Sequence, residues 1–127
     1  MRKKKILVID DEEAFGQMVK LNLEETGEYA VMVETKGAQA FAVTKIFKPD
    51  IIFLDIVMPD VDGGEIAHQI ESDKELKSIP IVFLTAIIKE DELNSQEGII
   101  AGRPHDFIAK PVTADKLIDC IKKHIKK

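Results

Sequence analysis

Five short apolar runs punctuate the chain, and nearly all of them end in side chains that carry chemistry. Lys5 to Ile9 runs into the pair Asp10-Asp11, Ile51 to Leu54 into Asp55, and Ile81 to Leu84 into Thr85-Ala86. Phe107 to Ala109 runs into Lys110-Pro111, and Tyr29 to Val33 into Glu34-Thr35. Runs of this length without polar alternation suit strands buried on both faces. Between them the apolar positions switch to helical spacing. Phe15, Met18, Val19 and Leu23 predict a first helix from about Glu12, with acids in its first turn and Gly27 at its end. Ala38, Phe41, Ala42, Lys45 and Ile46 predict a second, closed before Pro49. Pro59, Gly63 and Gly64 force a loop after Asp55. A third helix follows from about Gly64 to Ser72, with Ile66, Ala67 and Ile70 as its stripe.

Lys89 to Gly102 is expected to form a fourth helix, but a weak one. It is polar, carries Gly98, and offers only Leu93, Ile99, Ile100 and Ala101 as anchors. The last helix runs from Thr113, its expected N-cap, with Leu117, Cys120, Ile121 and Ile125 facing inward. Five strands alternating with five helices give an α/β class, a doubly wound parallel sheet with right-handed crossovers. The expected layering is two helices on one face and three on the other.

Composition narrows the function classes. A chain of 127 residues is read as one domain, 1–127, with no effector domain in view. It is 45% hydrophobic and 32% charged, as a soluble globular protein is. No apolar run approaches a membrane span, and Ile6 to Ile9 is too short for a signal-peptide core. The basic start, Met1 to Lys5, reads as a solvated lead-in to a strand. The lone Cys120 cannot form an internal disulfide, so a cytoplasmic setting is the default. The net charge of −5 argues against nucleic acid as the direct partner. His68, His105 and His124 are scattered and suggest no metal cluster. Met18, Met32 and Met58 read as packing. Lys122, Lys123, Lys126 and Lys127 suit the negative end of the last helix.

Parallel strands share their carboxyl-terminal edge, so Asp10, Asp11, Asp55, Thr85 and Lys110 should meet there. At a few ångströms and an effective dielectric near 20, each pair of carboxylates costs on the order of 4 kcal/mol. A cation among them, or bound protons, would relieve that cost. Oxygen-only ligands with open positions suit Mg²⁺. Thr85 and Lys110 add an anion site beside it. Asp55 can then act as a nucleophile toward phosphorus and form an acyl phosphate.

In motif order the sequence resembles the receiver domain of two-component response regulators. It carries the acidic pair Asp10-Asp11, and Asp55, Met58, Pro59 and Gly63 in a D-x-x-M-P-x-x-x-G pattern. Thr85-Ala86, Phe107 and Lys110-Pro111 complete the series. The resemblance covers essentially the whole chain. It implies the flavodoxin-like strand order 2-1-3-4-5. It also implies that Asp55 is the phosphoacceptor, served by a histidine kinase or phosphotransfer protein. Asp11, Asp55 and the backbone carbonyl of Val57 would bind Mg²⁺, with Asp10 acting through water. Lys110 would pair with the phosphoryl group, and Thr85 and Phe107 would be the switch pair.

The same resemblance implies that the chain catalyses only its own phosphorylation and dephosphorylation. Output would pass to a protein partner, or to a second copy, through the surface of the fourth helix, fifth strand and last helix. Thr85 to Lys110 spans 25 positions, longer than receivers commonly have, and Gly102-Arg103-Pro104-His105 replaces the usual small-acidic turn. This departure bears on the fourth helix and the partner surface, not on the phosphorylation site. Two rivals fit less well. A haloacid-dehalogenase phosphatase needs a second acid two residues after its nucleophile, where this chain has Val57. A flavin-binding flavodoxin needs a Ser/Thr/Gly-rich loop after the first strand, where this chain has Asp10-Asp11-Glu12-Glu13. The alternative within the family is a receiver-like interaction module that takes no phosphate.

Overall fold

The structure is a computed structural model, and it describes residues 2–56, 58–85, 99–100, 103–104, 106–110 and 112–125. The strands are β1 (Lys4–Ile9), β2 (Tyr29–Glu34), β3 (Ile51–Asp55), β4 (Ile81–Thr85) and β5 (Asp106–Ala109). They form one parallel sheet in the order β2-β1-β3-β4-β5. The helices are α1 (Glu13–Glu24), α2 (Ala40–Phe47), α3 (Gly63–Glu71) and α4 (Ala114–His124). The flavodoxin-like topology expected from the sequence is therefore the observed one.

The apolar runs are continuous because β1, β3 and β4 are covered on both faces. Successive residues then feed two cores on opposite sides of the sheet. Ile6, Val8, Ile51, Phe53, Val82 and Leu84 join Val19 and Leu23 of α1 and Leu117 and Ile121 of α4. Leu7, Ile9, Ile52, Leu54, Ile81 and Phe83 join Ala40 of α2 and Ile66, Ala67 and Ile70 of α3. Burying each such aliphatic or aromatic side chain contributes roughly 1.5–3 kcal/mol. These two cores fix the strand register on which the site depends.

Several helix details differ from the expectation. Met18 has helical spacing but is 41% exposed, and Gly16 is the residue that faces the sheet. A Cβ at Gly16 would lie 2.5 Å from Val33 Cγ1, so only glycine lets α1 approach β2 this closely. On α2 the buried residues are Ala40 and Thr44, while Ile46 is 83% exposed and Ala42 also faces solvent. The Thr44 hydroxyl is satisfied within the helix, donating to Ala40 O at 2.7 Å. A short 3₁₀ turn, Gly37–Gln39, precedes α2 and rotates its inward face away from the spacing read on the sequence. Lys48 closes α2 in the left-handed region at φ 52°, just before Pro49.

Four α-helices lie among the described residues rather than five. The expected fourth helix, Lys89 to Gly102, falls mostly on residues 89–98, 101 and 102, outside the described residues. Its anchors Ile99 and Ile100 are not helical. They pair antiparallel with Arg103–Pro104 in a two-residue ladder. The cap at Thr113 is as expected, its side chain accepting from Lys116 N at 3.2 Å.

Candidate functional site

Asp10 follows β1 directly and stays in line with the sheet, because its N–H donates to Glu34 O at 3.0 Å. Asp55 closes β3 and is paired with Leu84 of β4. Thr85 closes β4, and its carbonyl accepts from Lys110 N at 2.8 Å, which extends the β4–β5 ladder by one step. Parallel pairing therefore brings all four residues to one edge. Asp10, Asp55 and Thr85 are 0%, 6% and 8% exposed, while Asp11 faces solvent. Asp10, Asp11 and Asp55 each offer a carboxylate oxygen within 4.8 Å of the other two.

Lys110 supplies the countercharge. Its Nζ lies 2.7 Å from Asp10 Oδ2 and 2.7 Å from Glu12 Oε1, and 4.6 Å from the centre of the Phe15 ring. Burial works against the ammonium charge, but Asp10, Glu12 and Asp55 outweigh it and hold the Lys110 pKa above its ordinary value. In return, the hydrogen bond and charge of Lys110 hold the Glu12 carboxyl below its ordinary value. Asp10 Oδ1 accepts from Glu12 N at 2.9 Å. Its Oδ2 makes the 2.7 Å ion-pair contact with Lys110 and no hydrogen bond among the described residues. A buried carboxylate oxygen with spare lone pairs, beside two further carboxylates, suits a hard cation.

The loop after Asp55 is held from two directions. Gly63 N donates to Ile56 O at 3.0 Å, and a Cβ at Gly63 would meet Asp55 O at 2.6 Å and Ile56 Cα at 2.8 Å. The first turn of α3 thus lies against the backbone that carries Asp55, and only glycine permits it. Asp62 caps that helix, accepting from Gly64 N. Asp60 reaches the other way, to Ala38 N at 3.0 Å and Gly37 N at 3.3 Å. Those backbone N–H groups, Ala38 foremost, hold the Asp60 carboxyl below its ordinary value. The sequence reading missed this tie, because the partners lie more than twenty positions away and no local motif marks them.

Phe107 is half-buried, its ring 5.7 Å from that of Phe83. Pairing places it opposite Phe83, two residues back from the Thr85–Ala109 pair. Val57, whose carbonyl was expected at the metal, lies outside the described residues, as do Ala86, His105 and Pro111. His124 does not approach the site and pairs with Asp106 at 2.8 Å.

The chain as a whole is similar to known proteins. The sequence profile described as the response regulator receiver domain matches residues 6–122. This chain belongs to the receiver domain family. The receiver is 38% identical over 108 residues to the alkaline phosphatase synthesis transcriptional regulatory protein PhoP of Bacillus subtilis, covering 85% of this chain and 42% of that protein. It is 29% identical to the polar-differentiation response regulator DivK of Brucella anthropi, covering 96% of each. Among solved structures it resembles the chemotaxis protein CheY4 of Vibrio cholerae, with a TM-score of 0.84 and 27% identity. That match covers 98% of this chain and all of the other. The receiver spans about half the length of the transcriptional regulators it matches, 42% of PhoP and 50% of the Pseudomonas aeruginosa regulator PhoB. Receivers are phosphorylation-activated signalling switches rather than metabolic enzymes. No helix among the described residues is long and apolar enough to cross a membrane.

Proposed function

We propose that residues 1–127 form one receiver domain in which Asp55 accepts a phosphoryl group from a histidine kinase or phosphotransfer protein. The observation that carries this reading is the convergence of three carboxylate oxygens within 4.8 Å at the strand ends, with the Lys110 ammonium 2.7 Å from Asp10. A carboxylate of Asp55 forms a bond to phosphorus as the P–N bond of the donor's phosphohistidine breaks. The imidazole leaves with the electron pair and takes its proton from solvent. Lys110 pairs with a phosphoryl oxygen, and the Thr85 hydroxyl gains a charged acceptor.

Asp11, Asp55 and the Val57 carbonyl would hold Mg²⁺, with Asp10 acting through water. The all-oxygen donor set and the buried Asp10 Oδ2, which has an ion-pair contact but no hydrogen bond, fit such an ion. Bound there, Mg²⁺ offsets the carboxylate charge and that of the transferring group. Phosphorylation then draws Thr85 toward Asp55, and Phe107 turns further inward beside β5. The surface of the 89–102 segment, β5 and α4 changes, and a protein partner or a second copy reads the change. We place this activity in the cytoplasm, without a direct nucleic-acid contact or membrane insertion.

Incubation with acetyl phosphate and Mg²⁺ tests the core of the proposal by intact mass. Wild type should gain a single phosphoryl group that is labile to base, and Asp55→Asn should gain none. Persistent labelling of Asp55→Asn at a serine or threonine would sink the assignment.

A further inference from the structure

Glu12 covers the solvent-facing side of the Lys110 ammonium. Its side chain is 63% exposed, yet its carboxylate lies 2.7 Å from the Lys110 ammonium, whose own side chain is 11% exposed. An ammonium has three N–H donors. One side of this ammonium faces the fully buried Asp10, a second lies over the Phe15 ring, and Glu12 takes the side toward the mouth. Glu12 is not there for the helix. It occupies the N-cap position of α1, but its side chain makes no capping bond. Its backbone is held independently of Lys110, donating to Asp10 Oδ1 at 2.9 Å and accepting from Gly16 N at 3.1 Å. The carboxylate is thus free to swing away while its Cα stays in place.

Resting on the reading of Asp55 as the phosphoacceptor, we propose that Glu12 is a positioning and specificity residue. It occupies the Lys110 ammonium at rest and must be displaced by the incoming phosphoryl group. A phosphoryl oxygen and the Glu12 carboxylate seek the same N–H donors, so each binds at the expense of the other. The strength of the Glu12–Lys110 pair therefore sets how readily the site takes anionic donors. Glu13 is the natural control. It is the adjacent acid, also exposed, but makes no ion pair among the described residues.

The test compares wild type, Glu12→Gln, Glu13→Gln and Asp55→Asn. Each is titrated with beryllium fluoride at fixed Mg²⁺, read as the shift of the thermal midpoint, and assayed with acetyl phosphate at low concentration. Glu12→Gln should lower the half-saturating beryllium fluoride concentration roughly two- to fivefold, the scale of one partly exposed ion pair. The acetyl phosphate rate should rise by a similar factor, while Glu13→Gln stays near wild type. A structural defect would not tighten an anion, so a gain of affinity separates displacement from damage. An unchanged or weaker response of Glu12→Gln overturns the proposal, as does a Glu13→Gln response of equal size. If Asp55→Asn responds as wild type does, the phosphoacceptor reading has failed. If Asp55→Asn is silent and Glu12→Gln follows the wild-type curve, only the role of Glu12 has failed.

Discussion

Lys110 gathers groups that are far apart in sequence. Glu12 lies 98 positions from it, and Asp10 and Phe15 are similarly remote. The acids and the lysine were legible in the sequence because parallel strands must deliver their end residues to one edge. The Glu12 pair and the Asp60 tie to Gly37 and Ala38 were not. A single acid after an acidic pair, or in a proline-containing loop, looks the same whether or not it meets a distant partner.

The countercharge from Lys110 also reduces the repulsion expected from three bare carboxylates. Asp11 is exposed, so its share is small. Asp11→Asn should raise metal-free stability by roughly 0.5–1 kcal/mol and abolish stabilisation by Mg²⁺. Chemical denaturation with and without Mg²⁺ checks both parts. A metal-free variant less stable than wild type would mean that Asp11 is held by favourable partners.

At the scale of elements, the junction between β3 and α3 sets the position of Asp55. Gly63→Ala would push a methyl group to 2.6 Å from Asp55 O, and backbone cannot yield as a flexible side chain does. The variant should lose roughly 1–3 kcal/mol of stability and phosphorylate more slowly, since the displaced backbone carries the acceptor. An unaltered thermal midpoint and rate would show that α3 can shift without strain. The Thr113→Ala variant, far from the acids, should lose about 1 kcal/mol through its missing cap and phosphorylate normally.

The strands were easier to read than the helix faces. Buried runs such as Ile51 to Leu54 need only length and apolarity, whereas a helix face depends on where the helix begins. The 3₁₀ turn ahead of α2 moved that origin and left Ile46 outside. On α1 the sheet-facing position is a glycine, which has no hydrophobic signature to count.

Across the whole molecule, depressed carboxyl pKa values link stability to pH. Asp60 and Asp73 are held below 3.8 by backbone N–H groups, of Ala38 and Glu75 foremost. Burial raises Asp106, but His124 and Lys123 more than offset it. Groups of this kind stabilise the fold above their unfolded pKa, and that stability goes as pH falls through the folded values. The thermal midpoint should therefore drop below about pH 4, and Asp60→Asn should flatten the drop. A midpoint that holds steady through that acid range would contradict the linkage.

The central claim is that the acidic edge of this sheet exists to phosphorylate one aspartate, and borohydride trapping tests it most directly. Reduction of an aspartyl phosphate converts that residue to homoserine, and peptide sequencing by mass spectrometry then reads its position. After acetyl phosphate and Mg²⁺, the account predicts homoserine at position 55 alone, and none in the absence of the donor. Homoserine at Asp10, Asp11 or any other acid, with Asp55 intact, would contradict it.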